Sequence, residues 1–307
     1  MTIRELPQSY EYYVLAITLG RGLPATAPLT PEAPAPADEA SHVATPMSGV
    51  PRMKLRDLTW ANKATFNALM EKHSFVVLTD LGKLKDMYLS LRTEMQAFFE
   101  TATEAKDAHT SSYIYRNETK TPMWYAGYER SRVRECFRVH TGDTSRISWP
   151  SPAFEKTWVS YTKKCQAICD KSLSLTLGYT VESADEQRAA GADLSVAYGL
   201  HYPNQEGTGQ SVDENVFEHV DPSLYVVEPV TDVRGLDVFD QATQQWLCAE
   251  DVCVPHEELV LFCGKALARA TDERIAGTLH RVTRYDSTRD VPRYCFIYEQ
   301  KYSPYFP

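Results

Sequence analysis

The 307-residue sequence lacks an apolar run of bilayer-spanning length near its N-terminus: Val14 to Leu19 is short and follows Glu11 and a pair of tyrosines, not a basic leader. Nor is there an excess of basic charge. With 32 Lys and Arg against 41 Asp and Glu, the net charge is −9, which argues against a phosphate backbone as the main partner. Nucleic acid and membrane are therefore not expected as partners, and a small molecule is. Gly20-Arg21-Gly22 lacks the third glycine and the preceding strand of a dinucleotide fingerprint, and neither a P-loop nor a Gly-x-Ser-x-Gly elbow occurs. His256-Glu257-Glu258 lacks the second histidine of a zinc-protease helix and reads as a turn before a strand. No internal repeat is visible. The seven cysteines form no small-scaffold disulfide framework, and Cys165 and Cys169 fall inside a helix-like pattern as buried thiols. A reducing, cytoplasmic setting and a monomer are expected.

What is present is an ordinary globular composition, 43% hydrophobic and 24% charged, enough for one large core. Residues 1–50 are set apart as a tail or linker, because Pro24, Pro28, Pro31, Pro34, Pro36 and Pro46 interrupt a stretch without apolar periodicity. From Pro51 the texture is that of one packed domain over 51–307, helix-rich to about 190 and β-rich over about 191–302. Helices are predicted over about 62–72, 84–105 and 152–177, the last with Pro152 in its first turn and Gly178 just past its end. Strands are predicted over 75–78, 195–202, 223–230, 236–240, 259–263, 278–284 and 293–298. Short strands with turns between them suggest a sandwich or jelly roll, so the fold class is mainly β with flanking helices.

Tyr113, Tyr115, Trp124, Tyr125 and Tyr128 fill an aperiodic stretch expected to cover the mouth of a site. Arg130, Arg132 and Arg134 alternate as on one face of a strand and read as a solvated face. Val133, Glu135, Phe137 and Val139 would then turn inward, and Glu135 would need a buried partner.

The candidate chemistry lies in Glu218-His219-Val220-Asp221-Pro222. On an extended strand His219 and Asp221 share a face and can chelate one metal ion. His280, in Leu279-His280-Arg281-Val282, offers a third ligand. Two histidines and a carboxylate leave coordination positions open, which suits non-haem Fe(II) that must also bind co-substrate and oxygen.

A His-x-Asp pair alone is a weak signal, and its surroundings strengthen it. His219-Val220-Asp221-Pro222-Ser223-Leu224, Leu279-His280-Arg281-Val282 and Arg293-Tyr294-Cys295 resemble the His-x-Asp, His-Arg-Val and Arg-x-Ser elements of the isopenicillin N synthase-like Fe(II)/2-oxoglutarate oxygenases. Leu200-His201-Tyr202-Pro203 resembles their Asn-Tyr-Tyr-Pro strand end, and Leu259 to Gly264 the apolar strand before the second histidine. Phe75 to Gly82 is similar to the strand and turn that open their N-terminal region, so the likeness runs from about Pro51 to Tyr302.

The resemblance implies a double-stranded β-helix (jelly-roll) core and a dioxygenase using Fe(II), 2-oxoglutarate and O2. It makes His219, Asp221 and His280 the iron ligands and catalytic centre. It also makes Arg293 the partner of the distal carboxylate of 2-oxoglutarate, with Tyr202 a hydrogen-bond donor to it. Hydroxylation is the commonest outcome it implies, with desaturation or ring closure also open. Two positions depart from the pattern. Cys295 stands where the family has serine and is the weaker donor at the co-substrate site. Leu200 and His201 replace Asn and the first Tyr, and His201 should face away from the iron. An oxidase of the isopenicillin N synthase or aminocyclopropane oxidase type, which dispenses with 2-oxoglutarate, and a catalytically silent β-helix binding module remain alternatives.

Overall fold

The computed structural model describes residues 49–111, 126–131, 133–205 and 214–305. The tail over 1–48 and the aromatics Tyr113, Tyr115, Trp124 and Tyr125 lie outside them. The described chain runs β1 (Arg52–Lys54), α1 (Lys63–His73), β2 (Phe75–Thr79), α2 (Lys83–Phe99), α3 (Thr103–Asp107), β3 (Thr110–Ser111), β4 (Ala126–Arg130) and β5 (Glu135–His140). It continues through α4 (Pro152–Leu177), α5 (Ala184–Ala189), β6 (Val196–Tyr202), β7 (Glu214–His219), β8 (Tyr225–Pro229), β9 (Leu236–Asp240) and β10 (Gln245–Cys248). It closes with α6 (Ala249–Val252), β11 (Leu259–Cys263), α7 (Lys265–Ala270), β12 (His280–Thr283) and β13 (Arg293–Glu299). Among the described residues no helix is long and apolar enough to cross a membrane.

The strands form a nine-stranded sheet, β1-β2-β11-β8-β13-β6-β5-β4-β3, and a four-stranded sheet, β10-β9-β12-β7. From β6 onward the chain passes back and forth between them, with β9 and β10 staying together in the small sheet. One face of the large sheet is covered by helices: Leu91, Met95 and Phe98 of α2 and Phe154, Trp158 and Tyr161 of α4 pack against Phe137, Phe296 and Tyr298. The opposite face meets the small sheet, where Val226, Val260 and Phe262 pack against Leu236 and Val238. A smaller apolar cluster beside it joins Leu200, Tyr202 and Cys295 to Val282. Burial on this scale at about 25 cal/mol per Å2 of apolar surface holds the two layers together.

Local signals explain where elements stop. Ser151 caps α4 by accepting from the Phe154 amide, Pro152 occupies its first turn, and Gly178 ends it at φ 84°. The helix expected to reach Ala105 ends at Phe99, and α3 follows as a separate turn. Arg130 and Arg134 do not share a strand. Ser131 and Arg134 close a hairpin turn between β4 and β5, so Arg130 is exposed on one side and Arg134 is half-buried on the other. Arg132 lies outside the described residues. Glu135 finds its partners on the helix side: Lys106 Nζ at 2.6 Å, the Tyr128 hydroxyl at 2.5 Å and His201 Nδ1 at 2.7 Å. Tyr128 belongs to that core and covers no site mouth.

Candidate metal centre and co-substrate pocket

His219 is the last residue of β7 and His280 the first of β12, and the antiparallel register sets them directly opposite each other. Their rings lie 4.3 Å apart. Asp221 follows two residues beyond His219, where the chain folds back against the end of β11. There the Lys265 amide donates to the Asp221 carbonyl at 2.7 Å and the Gly264 amide to the Leu224 carbonyl at 2.9 Å. Gly264 permits this crossing, since a Cβ there would sit 2.2 Å from the Ser223 carbonyl oxygen and 2.7 Å from that of Asp221. His219 Nε2 reaches Asp221 Oδ1 at 3.3 Å, and His280 Nε2 reaches Asp221 Oδ2 at 3.5 Å. One ligand atom from each residue falls within 4.8 Å of the others.

Both imidazoles are oriented by the backbone. His219 Nδ1 donates to the Phe217 carbonyl at 2.7 Å, and His280 Nδ1 to the Thr278 carbonyl at 3.1 Å. Because a carbonyl only accepts, each Nδ1 carries the proton, and in the neutral ring each Nε2 lone pair faces Asp221. Burial lowers the His280 pKa, partly opposed by Asp221, and so favours the neutral ring that a metal needs. Asp221 is held well below the usual carboxylate range: burial pushes it up, but His280 and His219 outweigh that. Burial opposes it, but Asp221 holds the His219 ring above its usual value, so an incoming metal would displace a proton there; with His280 and the ionised carboxylate it forms a donor set that fits Fe(II). Phe262 packs against His280 at 4.8 Å and walls the site from the large sheet.

Arg293 and Tyr202 pair across β13 and β6, with the guanidinium 5.9 Å from the Tyr202 ring centre. Both are buried between the sheets, and burial pushes the Tyr202 hydroxyl up to about 12, so it remains a neutral donor. Cys295 lies in the same apolar cluster as Tyr202. His201, as its alternation requires, faces the helices, stacked 4.7 Å from Tyr294.

No family profile and no curated protein matches this chain. Solved structures do. The rice dioxygenase for auxin oxidation is 16% identical with a TM-score of 0.66, covering 82% of this chain and 83% of its own. A full-length Neurospora crassa protein, solved in complex with alpha-KG, is 18% identical, TM-score 0.64, over 86% and 88%. The Arabidopsis thaliana dioxygenase for auxin oxidation 1, in its 2-oxoglutarate binary complex, is 14% identical, TM-score 0.64, over 82% and 92%. The fold is that of the 2-oxoglutarate-Fe(II) oxygenases.

Within this oxygenase fold the Arg293 end carries groups that motif reading missed. Arg293 Nη2 donates to Glu228 Oε1 at 2.9 Å and to Glu250 Oε1 at 3.0 Å, while Nε donates to the Val233 carbonyl at 3.2 Å. Its Nη1 is buried without a hydrogen-bond partner, as is the hydroxyl of Tyr88, whose charged neighbours include Arg293 and Glu228. The orphaned Nη1 fits one carboxylate oxygen of 2-oxoglutarate, but the Nη2 edge a bidentate clamp would use is taken. Arg134, expected at a solvated face, is instead half-buried, with its charge acting on the Tyr202 hydroxyl. The lone acid in the apolar run Tyr225–Pro229 was the one sequence signal for Glu228, because a buried carboxylate demands a cation.

Proposed function

We propose that this protein is an Fe(II)- and 2-oxoglutarate-dependent dioxygenase of the isopenicillin N synthase-like kind, oxidising a small organic substrate. The observation that carries the proposal is the convergence of His219, Asp221 and His280 on one point between facing strand ends. The alternation of β6 to β13 between two sheets supports closure as a double-stranded β-helix, with residues 51–307 as the catalytic domain. The chemistry that the loaded centre supplies is activation of dioxygen coupled to oxidative decarboxylation of 2-oxoglutarate. This chain's residues hold and orient: His219, Asp221 and His280 would hold the metal, three ligands that do not fill its coordination sphere. The Arg293 guanidinium and the Tyr202 hydroxyl are the donors for the distal carboxylate.

A second reading, an Fe(II) oxidase that works without 2-oxoglutarate, draws on the commitment of Arg293 Nη2 to Glu228 and Glu250 and on Cys295 in place of serine. Anaerobic addition of Fe(II) and then 2-oxoglutarate, followed by visible spectroscopy, separates the two. A keto acid chelating the iron gives a charge-transfer band, expected in the native chain and lost in His219→Ala. Tight Fe(II) binding with no band and no 2-oxoglutarate affinity would overturn the first reading in favour of the second.

A further inference from the structure

Arg293 sits in a buried cluster whose two acids are held very differently. Glu250 is tied down independently of Arg293: its carboxylate accepts from Thr231 Oγ1 at 2.9 Å and from the amides of Gly235 and Leu236 at 3.1 Å each. Those donors hold the Glu250 carboxylate in place whether or not the guanidinium is there. Glu228 lies on β8, on the face that meets the small sheet, where its Oε1 accepts from Arg293. One guanidinium against two carboxylates leaves this buried cluster one negative charge in excess, and a co-substrate carboxylate would make that two. An incoming dianion therefore competes for a cation that the protein already uses.

We infer that Glu228 is a built-in competitor for the Arg293 guanidinium, so that a dicarboxylate co-substrate docks on Arg293 only as Glu228 takes up a proton and gives up its hold on Nη2. The step balances: the Glu228 carboxylate gains a proton from solvent, the Arg293–Glu228 charge contact is broken, and a charge-assisted contact from Nη2 to the co-substrate forms. The charge of the cluster is then unchanged by docking.

The surroundings of Glu228 favour that exchange near neutrality. Burial raises its pKa to about 7, Arg293 opposes the rise, and Glu250 and Asp221 add to it. The other titratable groups facing it are Tyr88 of α2 and Cys295 of β13, both pushed up by burial and neutral. On β11 the residue paired with Glu228 is Val260, which contributes no charge.

This inference rests on the 2-oxoglutarate reading, and one set of titrations distinguishes their failures. The iron-saturated protein is titrated anaerobically with 2-oxoglutarate from about pH 6 to about pH 8.5, with dissociation constants read from the visible band and from calorimetry. The native chain should lose about tenfold in affinity per pH unit above about pH 7, and calorimetry in buffers of different ionisation enthalpy should show about one proton taken up. Glu228→Gln should bind about tenfold tighter than the native chain near pH 8, with the slope and the proton uptake both lost. Native binding that ignores pH, or a Glu228→Gln variant with the native slope or weaker binding, overturns the competitor. Should neither protein bind 2-oxoglutarate at any pH while both hold Fe(II), the co-substrate reading itself falls and takes the competitor with it.

Discussion

The two ends of the space between the sheets solve opposite electrostatic problems. At one end His219, Asp221 and His280 face one another, and the first two of these side chains keep 17% and 14% exposure. Their ligand atoms turn toward a common point. At the other end Arg293 is 1% exposed and is met by two carboxylates and a backbone carbonyl. The first end is unfinished without an incoming cation. The second already has its counter-charges, so anything that binds there must displace one or join them.

The largest contrast should come from Asp221→Ala. Removing a group that faces both imidazoles leaves two neutral ligands, and Fe(II) affinity should fall by more than about a hundredfold, the upper end of what loss of a mere supporting residue costs. Fe(II) titration checks it, and near-native affinity would dissolve the distinction between the two ends. Arg293→Ala should act in the reverse sense. Fe(II) binding should survive in the folded protein, but Glu228 would be left as an unpaired buried acid and Glu250 without its counter-charge, costing about 3–5 kcal/mol in denaturant unfolding. The cost should shrink at acid pH, where Glu228 becomes neutral. Unchanged stability would mean that the cluster is not held by its charges.

Gly235 tests the packing of the same end. A Cβ there would lie 2.7 Å from Arg293 Cδ and from Nε, so Gly235→Ala should displace the guanidinium and cost about 1–3 kcal/mol, with the iron site untouched. The smallest effect is Cys295→Ser. A hydroxyl in place of the thiol should tighten 2-oxoglutarate by about 0.5–1.5 kcal/mol, read in the anaerobic titration. A loss of affinity there would show that the pocket prefers the apolar sulfur.

The same contrast governs how much was legible in the sequence. The histidine end was readable from spacing, although β7 stops at His219 and it is the fold-back after it, not strand alternation, that brings Asp221 to the same point; the register of β7 with β12 supplies His280. The end signals of α4 and the apolar runs of β8, β9 and β11 are equally local. The Arg293 end was not readable, because its partners stand 65 and 43 residues away and nothing local says which acid meets which cation. Strand β10 escaped for another reason. At the edge of the small sheet Trp246 and Leu247 are only half-buried, so the segment Gln245–Cys248 shows no clean alternation. Arg134 was misjudged because a hairpin turn, invisible in an alternating Arg pattern, swings it onto Tyr202.

All seven cysteines are free and buried. Burial also pushes the thiols up, to about 12 for Cys136, Cys248 and Cys263, so almost no thiolate exists at neutral pH even where a reagent could reach. The folded chain should thus be nearly inert to alkylating agents and slow to cross-link in air, while every opening that exposes the interior releases reactive sulfur. Thiol labelling under native conditions becomes a clock for unfolding. Residue-by-residue mass spectrometry can read it separately for Cys165 and Cys169 on the buried side of α4 and for Cys295 on β13, and so time the loosening of each layer.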